Sequence, residues 1–369
     1  MPRYFCGMRA DRIVARGFRN LAELDLALPA RGAVFLGANG QGKTNLLELL
    51  YYPVLFRSLR GARDSDVACH GEAGFQLTLT LEDGSRPRDL SAGFRCLGKR
   101  KRLELDGASP ERLGDAIGHW LAVAFLPTDL RLVQGAAAER RQYLDRVLSL
   151  ADRGYLRALS RYRAALAQRN AALRLRRPDL AAAFDAPLSG AGAVLVRHRL
   201  SWTAASAEPL TATCIELGET QEVTLRYRGD ESLADARHWA EALARSAPRD
   251  AVLGATTVGP HRHDLELRIG GRALREVGST GQQRTAAVAL KLLERETLAA
   301  ASGAEPALLL DDVFAELDRE RQERLAARLL AGGARQTFIT SPREDELPDG
   351  FHLDSLQVES GRVGMALAG

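Results

Sequence analysis

Gly37, Gly42, Lys43 and Thr44 stand at the spacing G-x-x-x-x-G-K-[ST], within Gly37-Ala38-Asn39-Gly40-Gln41-Gly42-Lys43-Thr44. Glycines so placed let the backbone curl until its N–H groups point inward at phosphate oxygens. The lysine then reaches the β- and γ-phosphates, and the threonine hydroxyl is a ligand for Mg²⁺. Far along the chain, Ala307 to Leu310 run apolar into Asp311 and Asp312. A buried strand ending in a carboxylate suits the Mg²⁺ shell beside such a loop, with Asp311 in that role, and Asp312 stands where a general base for water attack belongs. A third group, Gly278-Ser279-Thr280-Gly281-Gln282-Gln283, is a glycine- and hydroxyl-rich turn opening a helix, a second anion site by the same physics. Singly these are a glycine turn, a strand end and a helix cap. Together they point to nucleotide chemistry.

Such residues need rigid elements behind them. Ala33–Leu36 reads as a buried strand into the loop, and Leu46, Leu47, Leu49 and Leu50 continue at helical spacing after it. Arg12–Arg16, Leu21–Leu28, Phe75–Leu81 and Lys101–Asp106 carry strand patterning and predict an antiparallel sheet beside the nucleotide core. From Arg112 to about Ala247 the pattern is mostly helical, with Leu144, Val147, Leu148, Leu156, Leu159, Tyr162, Leu166 and Leu173 at threes and fours. Pro178 and Pro187, followed by Gly190 and Gly192, are expected to break this run, and no long heptad array supports an extended coiled coil. Strands return at Asp264–Ile269, Ala307–Leu310 and Gln336–Thr340, with helices at Thr285–Ala300 and Arg319–Leu330.

A chain of 369 residues with 46% hydrophobic and 27% charged content is ordinary for a globular protein and can hold two sub-domains. No stretch approaches the ~18 apolar residues of a membrane span, and Met1–Arg12 lacks the apolar core of a secretion signal. Cys6, Cys69, Cys96 and Cys214 are too scattered for a disulfide framework or a zinc site. A cytoplasmic protein with no membrane partner is expected. Its net charge of +4 is uneven: Glu139–Arg177 holds eleven arginines against three acids, +8 in all, leaving −4 elsewhere. A basic stretch on a near-neutral body suits a polyanion, although a solvated helix face explains it equally well.

Lys43 and Gly281 are 238 residues apart. If one subunit cannot bring the two anion sites to one phosphate, a dimer can, with Ser279 and Gly281 of one copy meeting the γ-phosphate held by the other. Nucleotide then stabilises the interface.

With these motifs in this order, the chain resembles ABC-type ATPases of the structural-maintenance-of-chromosomes kind and, more narrowly, the RecF family of bacterial DNA replication and repair proteins. The likeness also rests on Arg57-Ser58-Leu59-Arg60, Phe125-Leu126-Pro127-Thr128-Asp129-Leu130 and Arg140-Arg141-Gln142-Tyr143-Leu144-Asp145. Gln168-Arg169-Asn170, Gly259-Pro260-His261-Arg262 and Phe314-Ala315-Glu316-Leu317-Asp318 extend it over nearly the whole chain.

The resemblance implies an α/β fold: an ABC-type P-loop ATPase head, a mixed β-sheet with helices, plus an inserted mainly helical lobe. Residues 1–110 with 301–369 would form the ATPase lobe, and 111–300 the helical lobe carrying the signature motif at 278–283. ATP and Mg²⁺ would be the cofactors. Gly37, Ala38, Asn39, Gly40, Gln41, Gly42, Lys43 and Thr44 would bind the nucleotide, joined by Ser279, Gly281 and Gln282 of the signature motif. Thr44 and Asp311 would hold Mg²⁺, Asp312 would be catalytic, and Asp318 would sit in the D-loop coupling two ATP sites. Family likeness further implies an ATP-dependent homodimer and association with single-stranded, duplex or gapped DNA. RecR and RecO would be partners, recombinase would be loaded at gaps or stalled forks, and the SOS response would be supported. In this light the basic segment becomes a DNA surface, with Arg157, Arg161 and Arg163 as candidate contacts of a sequence-neutral, salt-dependent kind.

Departures from the family pattern carry their own expectations. Gly278 stands where leucine is usual and Thr280 where many ABC proteins have glycine. Asp312 replaces the usual glutamate with a carboxylate one methylene shorter, which predicts weak hydrolysis suited to a switch. Thr340-Ser341 occupies the region of a switch histidine, and Gln134 is the candidate for the Q-loop glutamine. His261-Arg262-His263-Asp264 resembles metal-ligand spacing, but with no third ligand cluster a structural or DNA-proximal role is expected. The alternatives are the cytoplasmic ATPase of an ABC transporter, which would place its signature motif nearer the loop, and a small-molecule P-loop kinase, which would not need Gly278–Gln283.

Overall fold

The computed structural model describes residues 8–82, 86–315, 317–331 and 336–365. They form two compact units, one running to Thr128 and resuming at Glu294, the other Asp129–Leu293. Strands in chain order are β1 Arg9–Phe18, β2 Leu21–Ala27, β3 Gly32–Leu36, β4 Gly74–Glu82, β5 Arg88–Arg95, β6 Arg100–Leu105 and β7 Ala122–Phe125. They continue with β8 Val223–Arg228, β9 Asp264–Ile269, β10 Arg272–Ala273, β11 Ala307–Asp311, β12 Thr337–Ser341, β13 Asp354–Glu359 and β14 Arg362–Met365.

In the first unit, β14-β13-β3-β12-β11-β7 make a six-stranded sheet, parallel except where β14 meets β13. Every residue of β3, β7, β11 and β12 is buried. Strands covered on both faces read as unbroken apolar runs, which is the pattern seen in the sequence at Ala33–Leu36 and Ala307–Leu310. β12 lies between β3 and β11, with Thr340 opposite both Phe35 and Asp311. Although the composition changes near Pro110, β7 pairs with β11 and belongs to this unit.

A second sheet of the same unit is antiparallel, in the order β2-β1-β4-β5-β6. Phe75, Leu77, Leu79 and Leu81 of β4 and Leu90, Ala92 and Phe94 of β5 are buried, so one face is apolar and the other is polar. Alternation predicts four of these five strands. It does not predict β5, whose outward residues Asp89, Ser91 and Gly93 are poor strand formers. The helix after the phosphate loop, Lys43–Leu55, is buried on nearly every side. Its Tyr52 packs edge-to-face with Phe18 and Phe75 at 5.9 and 5.3 Å between ring centroids, seating the helix on the antiparallel sheet.

The second unit holds the helices Ala137–Ala151, Arg153–Arg174, Asp185–Glu216 and Trp239–Leu253, with a three-stranded antiparallel sheet β10-β9-β8. The expected break at Pro187, Gly190 and Gly192 is absent: all three lie inside the 32-residue helix Asp185–Glu216. Pro187 falls in its first turn, where the missing N–H has no intrahelical acceptor to lose. Gly192 is a close-approach position, because a Cβ there would enter the ring of Trp239 and crowd Tyr162. Gly190 faces open space.

The two glycines therefore differ in sign. Gly192→Ala should destabilise the protein by about 1–3 kcal/mol through overpacking. Gly190→Ala should be neutral or stabilising by up to about 1 kcal/mol from helix propensity. Thermal unfolding of the two variants checks this, and an equal loss in both would exclude the packing account.

Candidate functional site

The phosphate loop is held by contacts outside itself. Gly42, at φ 114°, adopts a left-handed conformation that only glycine takes cheaply and caps the helix Lys43–Leu55. Gln41 accepts N–H bonds from the β13–β14 turn, Ser360 to its Oε1 (2.6 Å) and Gly361 to its carbonyl (2.8 Å). Asn20, from the β1–β2 turn, donates to the Gln41 carbonyl (3.3 Å) and accepts from Asn45 (2.8 Å). Ala38, Asn39 and Gly40 remain exposed at the tip, while Lys43 is buried to 8% exposure. Its ammonium donates to the carbonyls of Gly37 and, at 3.0 Å, Ala38. Burial lowers the Lys43 pKa, opposed by Asp312, Asp311 and Glu346.

Residues 267 apart in sequence meet beside this loop. The Thr44 hydroxyl lies 2.9 and 3.1 Å from the two Asp311 oxygens. Thr340 donates to Asp311 Oδ1 at 2.9 Å and accepts the Asp312 N–H at 3.1 Å. Burial raises the Asp311 pKa above the ordinary carboxylate range, against the hydrogen bonds from Thr340 and Thr44 and with help from Asp312. A hydroxyl and a carboxylate converging in this way are hard oxygen donors of the kind Mg²⁺ takes. Asp312 is exposed and sits at φ 51°, so its side chain leaves the strand at a sharp turn. Motif reading marks Thr340 only as standing in the region of a switch histidine; its bonds to Asp311 and to the Asp312 backbone are what the structure adds. Its signal is a pair of hydroxyl residues, Thr340 and Ser341, at the end of a buried strand.

Behind the loop, Glu48 is fully buried in the helix Lys43–Leu55. Arg19 grips it with two bonds at 2.9 and 3.0 Å, Arg60 donates from Nε at 3.2 Å, and the Ser58 hydroxyl donates at 2.5 Å. Burial alone would push this carboxyl up; Arg19, Arg60 and Ser58 outweigh it and hold the pKa below its usual value. Arg60 also donates to Asn45 at 2.5 Å. The Arg57–Arg60 segment thus orders the first turns of the loop helix.

Other predicted residues fall elsewhere. Ser279 and Gln282, in the second unit, form a reciprocal capping box: the Gln282 N–H donates to Ser279 Oγ (3.3 Å) and the Ser279 N–H to Gln282 Oε1 (3.0 Å). Gln134 lies in the same unit and donates to Gln283 Oε1 at 2.6 Å. Asp318 is exposed and caps the helix Arg319–Ala331 through the Arg321 N–H at 2.9 Å, which holds its carboxyl below the usual range. Glu316 lies outside the described residues. His261 bonds Tyr162 Oη (2.6 Å) and the Thr256 carbonyl (2.9 Å), and His263 bonds Tyr227 Oη (2.8 Å). Burial lowers both histidines, His263 to about 4. Among the described residues no group of three or more His, Cys, Asp or Glu side chains gathers around these histidines, whose ring nitrogens are taken up by hydrogen bonds within the protein.

The basic segment is partly internal. Arg140 and Arg169 are each 4% exposed, Arg140 pairing with both oxygens of Asp264 at 2.9 Å and Arg169 with Asp185 and Asp250 at 2.8 Å. Arg141 donates to the His263 carbonyl at 2.9 Å. Of the candidate DNA contacts, Arg163 is engaged by Asp145 at 2.8 Å, whereas Arg157 and Arg161 are exposed on the helix Arg153–Arg174.

The chain matches no protein-family model. It is 39% identical over 345 residues to the DNA replication and repair protein RecF of Anaeromyxobacter sp. (strain Fw109-5), covering 90% of this chain and 92% of that one. RecF of Myxococcus xanthus is 35% identical over 376 residues and 97% of each chain. Among solved structures, the recombination mediator protein RecF-ATP in the RecFOR pathway is 28% identical, with a TM-score of 0.88 over 98% of both chains. The Smc head domain from Pyrococcus furiosus is 14% identical with a TM-score of 0.56, a likeness of fold alone. The fold is the expected one, α/β with the architecture of an ABC-type ATPase head. The transporter alternative is not favoured.

Asp311 supplies a pH test. Its folded carboxyl keeps its proton to higher pH than the unfolded one, so its contribution to stability is full at acid pH and is lost as pH rises through the folded value. Without nucleotide, Asp311→Asn should raise the melting temperature at pH 7.5 by a few degrees, on the order of 1 kcal/mol. The gap should close below about pH 4. A lower melting temperature at pH 7.5 would reject this.

Proposed function

The chain belongs to the RecF family of DNA replication and repair proteins, and from that premise we propose that it binds ATP with Mg²⁺ at Gly37–Thr44, dimerises on the nucleotide and associates with DNA. The observation that carries this reading is the convergence of Thr44 and Asp311 at 2.9 Å beside the Lys43 ammonium. Lys43 would neutralise phosphate charge, and Thr44 with Asp311 would hold the metal ion, which spreads the charge of the transferring phosphoryl group. Asp312, exposed at the turn after β11, would orient water as general base.

Ser279, Gly281 and Gln282 would complete the ATP site of a second copy, and Asp318 would couple the two sites. Support for this lies in the exposure of Ser279 and Asp318 and in the free affinity of a helix N-terminus for anions. The short Asp312 side chain favours slow hydrolysis and use of ATP as a switch. Within the family role, RecR and RecO would be partners in recombinase loading at gaps or stalled forks and in support of the SOS response, in the cytoplasm. Among the described residues no helix is long and apolar enough to cross a membrane.

Lys43→Ala should weaken ATP binding roughly 10- to 100-fold, as expected for losing about 1.5–3 kcal/mol of charged hydrogen bonding. Sedimentation with saturating ATP and Mg²⁺ should give a wild-type dimer and a Lys43→Ala monomer; a wild-type monomer there would overturn the nucleotide-held dimer. Because Arg163 is engaged by Asp145, charge reversal belongs at Arg157 and Arg161. Arg157→Glu with Arg161→Glu should weaken binding to all DNA sequences and flatten the log–log salt slope by about 2. An unchanged slope would assign those arginines to a solvated face.

A further inference from the structure

β5 and β6 are joined by a four-residue tip, Cys96–Lys99, that turns on Gly98 (φ 76°) and Lys99 (φ 47°) at the edge of the antiparallel sheet. Five cations stand on or beside it: Arg95, Lys99, Arg100, Lys101 and Arg102. With them is Leu97, which at 92% exposure is the most exposed large apolar side chain among the described residues.

The cations divide by role. Lys101 donates to the Phe56 carbonyl and to Asp64 (3.0 Å) and lies 5.0 Å from the centre of the Tyr52 ring, so it anchors the hairpin to the end of the loop helix. Arg102 pairs with Glu104 at 2.5 Å. Arg95 and Arg100 face each other directly in the strand register, and both are exposed. Like charges so placed repel, and among the described residues neither they nor Lys99 has a carboxylate partner. Basic residues on an edge strand also discourage sheet-to-sheet pairing, which would explain the charges alone. It would not explain Leu97, which adds apolar surface at the very tip to be protected.

We propose that the β5–β6 hairpin grips duplex DNA, with Arg95, Lys99 and Arg100 on backbone phosphates and Leu97 wedged into the minor groove between base steps. Phosphate contacts of this kind fix a protein on the duplex without reading sequence. An apolar side chain at the centre of such a grip unstacks a step and bends the helix. Behind the tip the same sheet face carries Gln76, Thr78 and Ser91, and then Glu104, which Arg102 neutralises, and Asp89, so the unpaired positive charge is confined to the tip. This inference rests on the DNA-binding function proposed above.

The test compares the full chain with two variants, Arg95→Ala/Lys99→Ala/Arg100→Ala and Leu97→Ala, each with ATP and Mg²⁺ on duplex carrying 2-aminopurine. The triple variant should flatten the salt slope by about 3, at about 0.9 per phosphate contact. Arg95→Lys with Arg100→Lys should retain the slope. Leu97→Ala should keep the slope yet lose the 2-aminopurine fluorescence increase that reports unstacking. Unchanged melting temperatures are expected throughout, since the side chains are exposed. A wild-type slope in the triple variant overturns the hairpin grip, as does loss of binding only to anionic lipid vesicles. Wild-type protein that fails to bind any DNA overturns the DNA-binding function, and this inference with it.

Discussion

Asp311 reaches Thr44 only because β12 inserts between β11 and β3 in a fixed parallel register. β11 itself is wholly apolar until its last residue, so the carboxylate is delivered at the C-terminal end of the strand and nowhere earlier. Slipping a strand by one residue would exchange its two faces and present Leu310 or Asp312 to the Thr44 hydroxyl. Thr340 shares that register and bonds both Asp311 and the backbone of Asp312. The orientation of the Asp311 carboxylate is therefore a property of the sheet.

The same economy governs charge. Burying an ion is costly unless a partner of opposite sign is buried with it, and removing one member of such a pair exposes that cost. Glu48 meets this condition through Arg19, Arg60 and Ser58, and Arg199 meets it through Asp145 at 2.7 Å and the Pro260 carbonyl at 2.7 Å. In the second unit, Arg140 and Arg169 are likewise turned inward. The +8 of the arginine-rich segment consequently overstates what a solvent-side partner would feel. The residual field comes from arginines such as Arg157 and Arg161, which stay at the surface.

What was legible in the sequence is what depends on neighbours in the chain. The phosphate loop needs a strand, a glycine turn and a helix in direct succession, and all three are written within 17 residues, Val34 to Leu50. Asp311 was legible as the end of an apolar run. Thr340 was legible as a strand end but its bond to Asp311 was not, because that comes from pairing with a strand that lies elsewhere in the sequence. β7, with four buried residues, and the β13–β14 pair escaped notice because short strands are indistinguishable from loops without their partners. Gly192 looked like a breaker and is instead a recess for Trp239. The Gln168-Arg169-Asn170 run, visible only as a likeness, has a physical reason in the structure: Arg169 binds Asp250, and Asn170 accepts the Thr256 N–H at 2.8 Å.

Asp312 has a consequence for anyone redesigning this protein. Its backbone at φ 51° is left-handed, a region that aspartate and asparagine visit far more readily than most side chains because a short polar group can bond locally. Lengthening it to glutamate adds reach but takes away part of that tolerance, at a cost of about 1 kcal/mol or more. For the proposed role of Asp312 as general base, faster hydrolysis is thus not one methylene away. The turn after β11 would have to be rebuilt together with the side chain, so the reach of the carboxylate and the shape of the backbone must change in the same step.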